Sequence, residues 1–451
     1  MMRSESMRVN TVVGLALILL VSCCNGRRVQ TWQGLDPFDI PSAMEHSESI
    51  LRPAAGLAAA FNPSNLRQHD SVNWFGQHAQ EKMASRKARP VPVMSTIGKQ
   101  PLEEPQQSQG SLSRLWGSVN GKDVHLVTLK SDMLEVDVCS LGAALAAVRV
   151  NVKGEWLDVV LGYESLERYT NGGKANFGTV VGRVANRVAY GTFELDSDTY
   201  ELEKNNGAHH IHGGTNGFYS QVFTVTSASS EQVVFSLVDS DGNMGYPGQV
   251  NLTVRYSVKE GELHFEYSGI TDKPTLLSLT NHAYWNLKGH QAGHVLDHTL
   301  QVMASKTTLT DETCRITGEL EDVEGTRLDF RAPRVLQEAF DAGGPIDRNF
   351  CLDSTSGSGA LAARLVGPNK LAMEVWTDQP GLQVFTGENI ASAGPDSWWH
   401  GKGAKWQQFG AISLEPQLWP DGIHHKHFKS PVLRPGETYK HHSWHVFSVQ
   451  D

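Results

Sequence analysis

The sequence predicts an all-β fold, one large antiparallel β-sandwich, and three observations carry that prediction. Short runs with apolar residues at every second position recur from about residue 112 onward, as half-buried strands require. Clusters of Gly, Asn and Asp separate these runs, in a chain that holds 43 glycines. Helical periodicity is scarce and no repeat runs through the roughly 340 residues concerned, which favours a sandwich over a propeller or solenoid.

The first 26 residues stand apart. Arg3 and Arg8 precede the apolar run TVVGLALILLVSCC at 11–24, and polar NGRR follows. The run is short for a membrane span and reads as a secretory signal peptide, so no stable span is expected once it is cleaved. A secreted or extracellular location follows, with two alternatives. LVSC at 20–23 resembles a bacterial lipobox that would lipidate Cys23 and hold the protein in the periplasm, and the secretory route also serves organelles. Residues 27–110 have little periodicity, are rich in Ser, Gln, Pro, Arg and Ala, and read as a low-order linker or pro-region with one helix near 77–87. The globular domain is expected over 111–451.

Within that domain the clearest strands are LEVDV at 134–138, VVFSLV at 233–238, NLTVRYSV at 251–258, LHFEYS at 263–268, LAMEVWTD at 371–378 and LQVFTG at 382–387. The best helical candidate is a short turn at 334–340. Hydrophobic content of 39% and charged content of 20% suit a soluble protein with a substantial core. A formal net charge of −10 argues against nucleic acid as a partner. Of five cysteines, Cys139, Cys314 and Cys351 are scattered singly beyond the signal segment and allow at most one disulfide. No CxxC pair occurs, which removes the common structural zinc arrangements. Asn251-Leu-Thr253 is the one acceptable glycosylation sequon.

A few stretches carry candidate chemistry. LTNHAYWNL at 279–287 sets His282 in an apolar strand, where an imidazole needs a partner and where it suits proton transfer near neutrality. ISLEPQLWPDG at 412–422 buries Glu415 among apolar neighbours, and desolvation there raises a carboxyl toward the range of a general base or acid. Asp347 in GPIDRNFCL has a similar setting. Arg183 and Arg187 in GRVANRVAYG each need a carboxylate or a ligand oxygen. In GAHHIHGG, His210 and His212 share a face if extended, an HxH pattern that a cupin metal site would follow with a Glu, whereas Gly213 and Gly214 follow here. Metal binding is not expected, and the glycines point to a tight turn or a close backbone approach. HHKH at 424–427 and HHSWH at 441–445 read as solvated surface. His282 and Glu415 form an acid–base pair without a nucleophile, a phosphate loop or a dinucleotide fingerprint, so a reaction driven by proton transfer alone is expected, without cofactor.

These segments resemble the aldose 1-epimerase family. FGTVVGRVANRVAYGTFELD (177–196), HIHGGTNGF (210–218), GYPGQV (245–250), LTNHAYWNL (279–287), IDRNFCL (346–352), TDQPGLQVFTGEN (377–389), ISLEPQLWPDG (412–422) and VLRPGETY (432–439) match it in order. The resemblance implies a large twisted antiparallel sandwich with a free aldohexose in an open cleft, acting as a monomer or weak dimer. It implies Glu415 as base and His282 as acid, with His212, Arg187, Asp347 and Gln379 holding the sugar. Pro416, Leu418 and Trp285 depart from the family's usual residues and are expected to line the cleft. A hexose-6-phosphate 1-epimerase, a silent sugar-binding protein on the same sandwich, and a metal-dependent enzyme using the histidine clusters are the competing readings.

Overall fold

The structure, a computed structural model, describes residues 113–171, 176–354 and 357–450. The expected signal segment, the linker and the helix near 77–87 lie outside them. All six alternating runs form strands, as Leu134–Cys139, Gln232–Asp239, Val250–Lys259, Glu262–Thr271, Leu371–Thr377 and Gly381–Phe385. The helical turn expected at 334–340 is the short helix Leu336–Asp341, and a second helix, Leu166–Asn171, is too short to leave a periodic signal.

Three antiparallel sheets carry the sandwich. A five-stranded meander runs in chain order from Ser113–Val119 to Glu155–Asp158. A nine-stranded sheet has the order Thr224–Ala228, Gln232–Asp239, Val250–Lys259, Glu262–Thr271, Tyr439–Val449, Leu371–Thr377, Ala360–Val366, Thr299–Val302, Arg334–Val335. Its period-two residues, such as Leu252, Val254, Tyr256 and Leu263, Phe265, Tyr267, turn inward and are buried. Val127, Leu145, Phe235, Phe447, Leu382 and Leu414, drawn from all three sheets, belong to one continuous core.

The second histidine cluster corrects a sequence expectation. HHSWH is not solvated surface, because Tyr439–Val449 is an interior strand paired to Glu262–Thr271 on one side and Leu371–Thr377 on the other. Period two then drives His441, Ser443, His445 and Phe447 into the sandwich, where His441 and His445 are buried and lie tilted against Tyr267 and Phe265.

The third sheet positions the chemistry. Its order is Tyr284–Trp285, Ile412–Gln417, Gly381–Phe385, Asp347–Leu352, Ala304–Thr310, Ile316–Asp322. On one face Ile412, Leu414, Leu382, Val384 and Phe350 join the core. The alternation of the pleat therefore sends Ser413, Glu415, Gln383, Asp347 and Asn349 to the opposite face. All six residues of Ile412–Gln417 are buried, so both faces of this strand are covered.

Candidate active site

Glu415 stands in a cross-strand row. The register pairs Asn349 with Gln383 and Gln383 with Glu415, while one pleat further Asp347 lies opposite Phe385 and Phe385 opposite Ser413. The Gln383 amide donates to Asp347 Oδ1, which orients both side chains. Glu415 is almost wholly buried. Desolvation pushes its carboxyl up to about 8, the Ser413 hydroxyl offsets part of that rise, and the negative charge of Asp347 adds to it.

His282 arrives from another direction. It follows the short strand Thr280–Asn281, which pairs with Val180–Val181, and precedes Tyr284–Trp285, which pairs with Ile412 and Ser413. Its N–H donates to Thr179 O and its carbonyl accepts from Gly178 N–H, both at 2.9 Å, so the backbone is clamped on both sides. The ring stacks on Tyr284 with centroids 5.0 Å apart and sets Nε2 3.6 Å from Glu415 Oε1. Nδ1 lies 3.5 Å from the Ser413 hydroxyl, which donates to Ala283 O at 2.9 Å. Nε2 is the ring nitrogen that faces Glu415 and is placed to exchange a proton with it. Burial lowers the imidazole to about 4. With the two pKa values displaced in opposite senses, the pair holds one proton between them near neutrality.

His212 closes the group, its ring 5.3 Å from that of His282 in a T-shaped contact. The backbone N–H of Asn186 donates to His212 Nδ1 at 3.1 Å, and His212 N–H donates back to Asn186 O at 3.1 Å. Nδ1 is thereby the acceptor and Nε2 carries the hydrogen. Burial holds this ring well below the usual histidine range, so it is a neutral donor. His212 has φ of +55°, which ends the strand His210–Ile211, and the two rings meet different partners. The shared face expected of HxH is therefore not realised. His210 donates from Nδ1 to Glu203 O and accepts at Nε2 from the Tyr246 hydroxyl, a structural role. The glycines that follow do serve close approach: at Gly213, φ +85°, a Cβ would lie 1.7 Å from Gly182 O.

Beside this group opens a cleft lined among others by Asn186, Arg187, Asp347, Asn349 and Gln383. Arg187 is held by Asn206, its Nε donating to Oδ1 at 3.0 Å. Arg183 takes no part in it: the side chain is buried in an ion pair with Asp239 at 2.6 Å and donates to Pro247 O and Ser240 O. The two arginines that look alike in GRVANRVAYG thus divide into one that secures the fold and one that faces the cleft.

A model of the aldose 1-epimerase family matches residues 125–445. The chain belongs to the aldose 1-epimerase family. It is 39% identical over 327 residues to the galactose mutarotase of Bos taurus, covering 71% of this chain and 93% of that protein. It is 31% identical over 335 residues to the aldose 1-epimerase of Escherichia coli strain K12, covering 71% and 94%. Among solved structures, an aldose epimerase homologue from C. elegans aligns with a TM-score of 0.67 at 28% identity, over 72% of this chain and 99% of that one. Galactose 1-epimerase from Lactobacillus acidophilus aligns with a TM-score of 0.65 at 28% identity, over 75% and 98%.

Trp285, Pro416 and Leu418 do not line the cleft, contrary to expectation. Trp285 and Pro416 alternate with Tyr284 and Glu415 and so point behind the sheet, into the space between the sandwich layers. Leu418 lies in a separate depression beside Trp419 and Asp421. The glutamine expected in the site also shifts. Gln379 sits in the turn before its strand, with its amide donating to Asp378 Oδ1 at 2.6 Å, whereas Gln383 lines the cleft beside Glu415. Sequence reading missed Gln383, although its spacing within LQVFTG puts it on the face opposite Leu382 and Val384. Gln383→Ala is expected to raise KM up to about tenfold through one lost hydrogen bond and a loosened Asp347, and Gln379→Ala to leave KM unchanged, in steady-state mutarotation assays.

Proposed function

We propose that this chain interconverts the α and β anomers of a free aldohexose such as galactose or glucose, by acid–base opening and reclosure of the ring. The observation that carries the reading is the approach of His282 Nε2 to within 3.6 Å of Glu415 Oε1, beside the polar cleft that Gln383 lines. The two groups can then address two oxygens on one carbon. Glu415 as carboxylate takes the proton of the C1 hydroxyl while protonated His282 delivers its Nε2 proton to the ring oxygen. The C1–ring-oxygen bond breaks and a C1 carbonyl forms. Rotation about C1–C2 turns the other face of that carbonyl to the ring hydroxyl. In the return step the hydroxyl attacks C1, its proton goes back to His282 and the carbonyl oxygen recovers a proton from Glu415. Protons balance, and the other anomer leaves. The neutral His212 offers an Nε2 hydrogen bond to the ring oxygen region, and Arg187, Asp347 and Gln383 hold hydroxyls. Each positioned proton-transfer group contributes roughly 10²–10⁴ in rate.

Polarimetry on freshly dissolved α-galactose and α-glucose tests this. With Glu415 up at about 8 and His282 down at about 4, the fraction of pairs holding carboxylate plus imidazolium is constant between those limits. kcat/KM is expected to be level between them. It falls below about pH 4 as the base is protonated and above about pH 8 as the acid loses its proton. Saturation by glucose 6-phosphate in preference to glucose would favour a phosphosugar epimerase, and binding without anomer exchange would leave a sugar-binding protein.

We also propose that the N-terminal segment directs the protein into the secretory route and is removed there. Basic residues before an 11–24 apolar run support this. N-terminal sequencing of the mature protein distinguishes cleavage from lipidation at Cys23. Among the described residues no helix is long and apolar enough to cross a membrane.

A further inference from the structure

Behind the sheet that bears Glu415 lies a second space, walled by buried residues of two sandwich layers. Tyr267, His441 and His445 reach it from the nine-stranded sheet, Leu414 and Pro416 from the back of the Glu415 strand, and Thr280, Asn281, Ala283 and Trp285 from the segment that carries His282. Glu415 and His282 alternate with these residues and point the other way.

Five buried polar atoms of this lining have no partner among the described residues: Tyr267 Oη, Thr280 Oγ1, Asn281 Oδ1, Trp285 Nε1 and His445 Nδ1. Such atoms are rare singly, and five around one space point to a ligand that both donates and accepts. Their chemistry narrows the class. Trp285 Nε1 only donates, Asn281 Oδ1 only accepts, and the two hydroxyls do either. The Asn281 amide is fixed in this sense, because its Nδ2 donates to Gly178 O at 2.7 Å and to the Tyr256 hydroxyl at 3.1 Å. Among the described residues no carboxylate, lysine or arginine lines the space, and burial pushes His441 and His445 down to about 3, so both rings are neutral. An ion has no counter-charge here. An apolar ligand would leave all five atoms unsatisfied. The free room suits about one water molecule, able to make 2–4 hydrogen bonds.

We propose that this chamber is an internal hydration site whose ordered water bridges the His282 segment to the nine-stranded sheet and braces His282 against Glu415. The site also gives the Trp285 indole a use, since its Nε1 donates a hydrogen bond into the space. The hydration is independent of the reaction, and only the bracing rests on the acid–base reading above.

A high-resolution crystal structure of the unliganded protein tests the site directly. Ordered water bonded to Trp285 Nε1 and at least one of Asn281 Oδ1 and Thr280 Oγ1 is expected. Side chains rotated to pair with one another, or a chamber free of water density, would overturn it. Trp285→Phe and, as the milder variant, Tyr267→Phe test the bracing. Each is expected to lower kcat by up to about tenfold, as for a lost water-bridged bond, with KM unchanged. A loss of activity that tracks only the folded fraction in either variant, or kcat unchanged in both, overturns the bracing. Water present in a wild-type protein without mutarotase activity would leave the hydration site standing and remove the functional reading instead.

Discussion

Replacing Glu415 by Gln is expected to slow mutarotation by roughly 10²–10⁴ while leaving the thermal midpoint close to that of the wild type. The amide keeps the size and hydrogen-bonding reach of the carboxyl but cannot take the C1 proton. The fold should tolerate the change, because the buried carboxyl is raised to about 8 and is therefore mainly neutral at pH 7 already. His282→Asn should lose activity to a similar degree, since it removes the group that protonates the ring oxygen. The two losses are expected to be far from additive: one proton shared between two groups is disabled by losing either. Polarimetry measures the rate, and circular dichroism melting checks the fold. Full activity in either variant would sink the acid–base assignment.

The second large effect concerns stability. Arg183→Leu is expected to destabilise the protein by about 3–5 kcal/mol, because it leaves the Asp239 carboxylate buried without its counter-charge. Asp239 retains Gln221 at 2.9 Å and Asn243 at 2.7 Å, which hydrogen-bond it without neutralising it. The freed Pro247 and Ser240 carbonyls add to the loss. Urea unfolding should show the midpoint moving with little change in slope. Arg183→Leu combined with Asp239→Leu should recover part of the loss, since no unpaired charge then remains. At temperatures where the single variant stays folded, its kcat should be near normal. A single variant as stable as the wild type would show that the ion pair contributes nothing.

Much of this was legible in the chain. Val250–Lys259 and Glu262–Thr271 alternate cleanly because one face meets the core and the other water, and that contrast writes itself into the sequence at period two. Glu415 and His282 were legible for a different reason. A titratable group among Leu, Tyr and Trp is out of place unless something compensates its burial. Where both faces are covered, the signal fails. Ile412–Gln417 has no solvent face, and nothing in ISLEPQ says which of its neighbours share a side with Glu415. Tyr439–Val449 reads as surface because its inward positions are histidine and serine, polar residues whose partners come from the neighbouring strand, as Thr377 does for Ser443.

By itself, then, the sequence determined the all-β class, most strands, and the acid and base that matter most, since these depend on periodicity and on individual residues out of keeping with their surroundings. The tertiary structure decided everything that turns on which side of a strand faces which neighbour. It separated Gln383 from Gln379, Arg187 from Arg183 and His212 from His210, and it moved Trp285 and Pro416 from the cleft to the chamber behind it. The physical reason is the same each time. Side-chain direction in a sheet follows from register and from backbone angles such as the positive φ of His212, and both are set by contacts distant in the chain.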